Sequence, residues 1–98
     1  MKSDAEVSVA FLRHDEGGRK RPPLLNGYCP HLRVPPSKEM LGVRFVDGPE
    51  THSAGDTVHA VIEFLYKPQV SYDALVIGAR FEIVEGPTIV GHGVIAAI

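Results

Sequence analysis

Five histidines and a single cysteine are the residues of this 98-residue chain best suited to bind a metal or transfer a proton. Imidazole does both near neutral pH, and a thiolate is a strong nucleophile. No two histidines have a His-x-His or His-x-x-x-His spacing, and Cys29 with His31 lacks a third group to orient the imidazole. Ser53 and Asp56 follow His52 within one predicted turn, whereas the members of a catalytic triad converge from separate elements. We therefore predict no metal site, no cofactor and no enzymatic activity.

The one basic cluster of the sequence consists of Arg13, Arg19, Lys20 and Arg21, which are followed by two prolines and Tyr28. Guanidinium and ammonium groups donate charge-assisted hydrogen bonds to phosphate. Ten Lys and Arg stand against twelve Asp and Glu, however, so the formal charge is −2. A protein that binds nucleic acid non-specifically carries a broad basic excess. We therefore expect any RNA contact to be a local patch, and the simpler role of the cluster is a solvated loop.

A lone cysteine cannot form an internal disulfide, which is typical of a protein in a reducing compartment. The first six residues are polar and acidic, whereas a signal peptide needs a basic start and an apolar run. The longest apolar stretches, 60–66 and 89–98, are shorter than the about 20 residues that a membrane-spanning helix requires. We therefore expect a cytoplasmic protein with no membrane span, and we interpret Met1, followed at once by the first strand, as the start of a complete chain.

Alternating apolar and polar residues predict strands along most of the chain. Val7, Val9 and Phe11 alternate with polar or small residues, which is the two-residue repeat of a half-buried strand. The six strands predicted in this way lie at 6–11, 32–34, 41–45, 57–66, 80–83 and 88–98. Short strands at this spacing, separated by turns, indicate one all-β domain over residues 1–98, either a small antiparallel barrel or a sandwich.

Glycine and proline define the segments between these strands. Residues 15–30 contain three of each and are predicted to form an ordered loop, whereas 71–77 has room for at most one helical turn. Gly91 and Gly93 interrupt the last strand, as happens where a barrel bends or another backbone passes close. We interpret His92 between them as a core or rim residue, and Cys29 as a buried or half-buried structural thiol.

A series of short motifs extends in a fixed order over some ninety residues of the chain. They are Ala5-Glu6-Val7, Glu16-Gly17-Gly18-Arg19, Pro23, Asn26-Gly27-Tyr28, Pro30, Gly55-Asp56, Lys67-Pro68, Gly78, Arg80-Phe81, Ile83, Glu85-Gly86, Val90-Gly91 and Gly93-Val94. In order and spacing, this set resembles the third, C-terminal domain of elongation factor Tu. The resemblance implies a six-stranded antiparallel β-barrel, which agrees with the fold class that the alternation predicts independently.

The resemblance also implies contacts with RNA, because that domain helps to hold the acceptor and T arms of aminoacyl-tRNA. Carried over by position, the RNA-contacting residues are Lys67, Glu85, Gly86, His31 and Arg19. Of these, Lys67 keeps the chemistry that pairs most directly with phosphate, although a solvated strand end is its simpler role. The partner that the resemblance implies is tRNA or a translation protein. No Gly-x-x-x-x-Gly-Lys-[Ser/Thr] loop is present, so we expect this chain to bind no nucleotide and to lack GTPase activity.

Departures from the family pattern favour a second interpretation. Cys29 replaces an Arg, His31 replaces a Gln, Pro87 replaces a Gly, and the connection from Lys67 to Gly78 is longer than in the family. The barrel would then be a remodelled scaffold for protein interaction or self-association, with no role in translation. Its candidate interface is an exposed apolar cluster in the long connection, and a homodimer is its simplest form. The cluster comprises Val70, Tyr72, Leu75, Val76 and Ile77.

Overall fold

Six β-strands account for nearly all the regular structure of residues 4–98, the part of the chain that this computed structural model describes. They are β1 (Ala5–Phe11), β2 (His31–Arg33), β3 (Leu41–Asp47), β4 (Thr57–Phe64), β5 (Arg80–Glu85) and β6 (Thr88–Ala97). Each predicted strand is present, and no end is shifted by more than two residues. The predicted polar start at residues 1–3 lies outside the described residues.

The strands form a closed antiparallel barrel in the order β1-β4-β3-β2-β5-β6, with β6 returning to pair with β1. This confirms the barrel that the sequence predicts and excludes the sandwich. The helical content of residues 4–98 is a single 3-10 turn, His14–Glu16, which the sequence analysis did not predict. The described structure therefore contains no helix that could cross a bilayer.

Alternation along the strands fills the barrel with apolar side chains. In β1 the inward residues Val7, Val9 and Phe11 are almost completely buried, and Phe45 and Phe81 supply the largest buried rings. The remaining members of the buried core are Ala5, Leu25, Leu32, Leu41, Val43, Ala60, Ile62, Tyr72, Leu75, Ile83, Val90 and Ile95. Burying this apolar area is the main source of stability for a domain of this size.

The close packing predicted around the glycines of β6 is confirmed. A Cβ on Gly93 would lie 2.5 Å from Cζ of Phe81 and 2.7 Å from the carbonyl oxygen of Ser8. Gly93 therefore leaves the space that the Phe81 ring occupies inside the barrel. His92 points the other way and is exposed on the outer face, so a core position for His92 is excluded.

Exposure was predicted wrongly for part of the long connection after β4. Tyr72 and Leu75 are buried, at 6% and 2% of their full exposure, and Val70 is half-buried against the core. The Tyr72 ring stacks on Phe64 with centroids 4.5 Å apart, and its hydroxyl donates to the Gly42 carbonyl oxygen at 2.6 Å. The Tyr72 and Leu75 side chains thus belong to the core instead of forming a surface.

Two members of the predicted apolar cluster do lie on the surface. Val76 and Ile77 are 55% and 66% exposed. They precede a short stretch that is tied to β6 by a hydrogen bond from the Gly78 amide to the Ile95 carbonyl oxygen at 2.8 Å. The candidate interface of five residues is therefore reduced to these two.

The loop before β2 is ordered, as predicted, because its last residues pair with β3. The Gly27 amide donates to the Phe45 carbonyl oxygen, and the Phe45 amide donates to the Tyr28 carbonyl oxygen, both at 2.8 Å. Tyr28 packs against the core and Pro30 is buried, so alternation turns the intervening Cys29 outward. The Cys29 thiol is exposed, and its predicted burial is wrong.

Candidate nucleic-acid interface

A single carboxylate at the end of β5 joins the loop before β2 to the β5–β6 turn. Oε2 of Glu85 accepts a hydrogen bond from Nη1 of Arg19 at 2.6 Å and another from the Tyr28 hydroxyl. The Arg19 guanidinium also lies over the Tyr28 ring, 5.8 Å from its centroid, and its Nε donates to the Arg21 carbonyl oxygen at 3.0 Å. These contacts fix the conformation of the loop at residues 19–21.

The turn next to this carboxylate depends on Gly86. Glu85 pairs with Thr88, so only Gly86 and Pro87 connect β5 to β6. Gly86 has a φ of +57°, a conformation that suits the first position of a two-residue hairpin turn and that residues with a Cβ rarely adopt. The turn conformation that Gly86 allows therefore sets the orientation of Glu85 at the end of β5.

Burial and charge keep the Tyr28 hydroxyl protonated. Desolvation in its half-buried position is the main cause that raises the pKa of Tyr28 well above its usual range, and the neighbouring Glu85 carboxylate raises this pKa further. At neutral pH the hydroxyl is therefore protonated and donates to Glu85. Because the same carboxylate compensates Arg19, this guanidinium serves mainly to hold the loop.

The two residues after Arg19 carry charges that remain available to a ligand. Lys20 and Arg21 are exposed, and neither makes an ion pair with any residue in the range 4–98. Lys20 and Arg21 directly follow Arg19, whose guanidinium makes one hydrogen bond through Nη1 and one through Nε. The ammonium of Lys20 and the guanidinium of Arg21 therefore extend from a backbone that these contacts fix. These two cations are the best placed to meet phosphate oxygens.

His31 and Lys67 lie on the same side of the barrel but not in contact with this cluster. His31 is exposed on β2, opposite Val84 of β5 and Gly42 of β3. Lys67 follows the end of β4, two strands further on, with its ammonium 5.8 Å from the centroid of the Phe64 ring. The structure thus places His31 and Glu85 on the adjacent strands β2 and β5, with Arg19 in the loop before β2 and Gly86 in the β5–β6 turn, and leaves Lys67 apart from them.

An exposed aromatic ring, which the sequence analysis missed, lies between His31 and Lys67. The Tyr66 ring lies over Gly42, occupying the space of a Cβ, and is 52% exposed. Gly42 pairs in register with His31, so the Tyr66 ring lies over the residue of β3 that neighbours His31. The sequence analysis extended the fourth strand to residue 66, but β4 ends at Phe64 and the chain turns there. The glycine between Leu41 and Val43 was the signal that another group packs closely against β3.

The histidines are distributed around the barrel and have separate contacts. Nε2 of His52 is 2.8 Å from the Pro23 carbonyl oxygen, and Nδ1 of His59 is 3.2 Å from the Ser8 hydroxyl. Within residues 4–98, no three His, Cys, Asp or Glu side chains converge on a point that could hold a metal ion.

No protein-family model matches this sequence.

Proposed function

We propose that this chain is a non-catalytic RNA-binding module of the type represented by the third domain of elongation factor Tu. The observation that carries the proposal is the shared Glu85 oxygen, which holds Arg19 and Tyr28 together. It fixes the loop at 19–21 against the β5–β6 turn, so that Lys20 and Arg21 project from an ordered backbone. Cations on a fixed backbone lose less conformational entropy when they bind phosphate than cations on a mobile tail.

The proposed surface extends across four adjacent strands. From the turn at Glu85, it continues over His31 on β2 and Tyr66 beside β3 to Lys67 at the end of β4. Three interstrand spacings make this distance about 14 Å. The exposed Tyr66 ring supplies a flat surface on which an unpaired base could stack, between cationic groups at both ends. Such a surface fits a short stretch of RNA backbone and not an extended duplex.

The affinity of this surface should depend moderately on salt. Lys20, Arg21 and Lys67 provide three exposed cations, and each phosphate neutralised adds about 0.7 to 0.9 to the slope of log K against log salt. Three contacts therefore predict that binding weakens by about 20- to 40-fold between 50 and 200 mM salt. A protein with many phosphate contacts loses about a thousandfold or more over the same range.

The test is a titration of fluorescently labelled bulk tRNA with the whole chain, followed by anisotropy at low and physiological salt. Replacing both Lys20→Gln and Arg21→Gln should remove two of the three contacts and lower the salt slope by about 2. Lys38→Gln, which changes an exposed lysine in the β2–β3 loop, is the matched control and should leave the slope unchanged. Absence of saturable binding at low salt, or equal binding by the double variant, would overturn the proposal.

A second candidate function is self-association through the apolar residues that remain exposed in the long connection. Val76 and Ile77 are adjacent, and both are more than half exposed. Contiguous exposed apolar side chains are typical of protein contacts. In this case the barrel would be a scaffold for a second copy of the chain, without a role in translation.

A further inference from the structure

A groove of about 390 Å³ crosses the outer face of β4, β1, β6 and β5 and shares no residue with the proposed RNA surface. The floor of the groove lies on β1, whose outward side chains at this point are the short ones of Ser8 and Ala10. Larger side chains stand on neighbouring strands: Ala10 lies between Thr57 and His92 in the registers of β4 and β6. Pro35, from the loop after β2, contributes to the lining on the side of β5.

The polar groups of the groove are mostly satisfied by each other or by neighbours. The Glu82 carboxylate accepts a hydrogen bond from Nε of Arg33 at 2.8 Å, which compensates its charge. The Ser8 hydroxyl is 3.2 Å from Nδ1 of His59. Arg80 is different, because its guanidinium is exposed and makes no ion pair with any residue from 4 to 98.

This arrangement places one uncompensated cation beside an apolar floor. Arg80 pairs in register with Val94, which also lines the groove, and Ala10 and Pro35 add further apolar surface. Exposed His92, between Ala10 and Glu82 in register, offers a second polar contact. Sites for small molecules have about 300 to 1,000 Å³ of space, mainly apolar walls and a few polar groups that set orientation.

We propose that this groove binds a small molecule with one oxyanion group and a flat apolar body. The planar guanidinium of Arg80 can donate two parallel hydrogen bonds to a carboxylate or sulfonate. The apolar body would then lie over Ala10 and Val94, in the space left by the short side chains of β1. The small floor determines how bulky the body can be, and Arg80 determines that the head group is anionic.

The probe for this site is 1-anilinonaphthalene-8-sulfonate, an aromatic sulfonate whose fluorescence rises when it leaves water. Arg80→Gln removes the cation without changing the floor, and should weaken binding by about tenfold or more, as expected for a lost charge-assisted pair. Ala10→Leu fills the floor and should abolish the saturable signal. The matched controls are Lys38→Gln for charge and Ala96→Leu, an exposed position on β6 outside the groove, for size; both should bind within about twofold of the unaltered chain.

A competition experiment tests the charge of the head group separately from the shape of the apolar body. 1-Naphthoate should displace the probe, whereas 1-naphthamide, which has a similar shape and no charge, should not. Thermal unfolding of each variant checks that it is folded, and Arg80→Gln, at an exposed position, keeps the test decisive if Ala10→Leu does not fold. Equal binding by the folded groove variants and their controls, or equal displacement by the amide, would refute the proposal. Because Arg80 lies outside the RNA surface, tRNA binding should be the same in Arg80→Gln.

Discussion

Removing the hydroxyl of Tyr72 should destabilise the barrel, because this group joins the long connection to β3 and to the residues just after β4. It donates to the Gly42 carbonyl oxygen at 2.6 Å and accepts from the Tyr66 amide at 3.1 Å. Tyr72→Phe keeps the ring on Phe64 but leaves both backbone groups without this partner. The Gly42 carbonyl oxygen keeps its bond from the Leu65 amide at 3.1 Å, but Gly42 is buried, so water cannot replace the lost hydroxyl.

The expected loss can be estimated from these contacts. Each hydrogen bond lost costs about 1 kcal/mol, so Tyr72→Phe, which removes two, should lower the free energy of unfolding by about 2 kcal/mol. In a domain of this length, that corresponds to a fall in Tm of about 8 to 16 °C. Tyr72→Ala also removes the stacked ring and should cost about 3 to 5 kcal/mol.

The assay is urea unfolding of the whole chain, followed by circular dichroism, with Ile77→Ala as the matched control. Ile77 belongs to the same connection but is 66% exposed, so its truncation should change stability by no more than about 0.5 kcal/mol. If Tyr72→Phe unfolds at the same urea concentration as the unaltered chain, Tyr72 does not anchor the connection. A larger loss for Ile77→Ala than for Tyr72→Ala would reverse the assignment of buried and exposed residues.

Two further predictions concern the Glu85 cluster, which consists of Arg19, Tyr28 and Glu85, and the exposed residues of the connection. Tyr28→Phe removes the donor to Glu85 and should cost about 1 to 2 kcal/mol at neutral pH. Because the folded state raises the pKa of Tyr28, its contribution is present below the ordinary value of 10.0 and is lost as the pH rises above it. Urea unfolding should therefore show a smaller loss of stability at alkaline pH in Tyr28→Phe than in the unaltered chain. Burial also raises the pKa of Tyr72, so the part of the alkaline loss that comes from Tyr72 is the same in both proteins. An equal total loss of stability in both would contradict the role of Tyr28. Val76→Asp with Ile77→Asp should convert any dimer to a monomer in light scattering after gel filtration, and an unchanged mass in a dimeric protein would exclude this surface.

The barrel could be predicted from the sequence because its strands keep a regular two-residue alternation. Val7, Val9 and Phe11 of β1 all point inward, and the glycines of β6 mark where Phe81 packs. The pattern could not locate Tyr72 and Leu75, since burial in an irregular connection depends on how the segment folds back. No period links these two residues to the core.

The Glu85 cluster was only partly predictable. Arg19 and Glu85 were named through the family resemblance, but the bridging role of Tyr28 depends on a contact between residues 57 positions apart. A local pattern carries no information about such a contact until the register of β2 and β5 is known. The same limit applies to Arg80 and Ala10, which meet in one groove because β6 lies between β5 and β1.

Pairing between the first and last strands has a consequence for the time course of folding. Glu6 pairs with Ala97, and Phe11 pairs with Gly91, so the barrel closes only when both termini are present. During synthesis, a chain that ends at β5 has two free sheet edges, one on β1 and one on β5, whose unpaired amides and carbonyls can pair with other chains. Contacts this distant in sequence also form slowly, on a scale of about milliseconds to seconds in all-β domains. The emergence of β6 from the ribosome is therefore the step that removes both free edges at once.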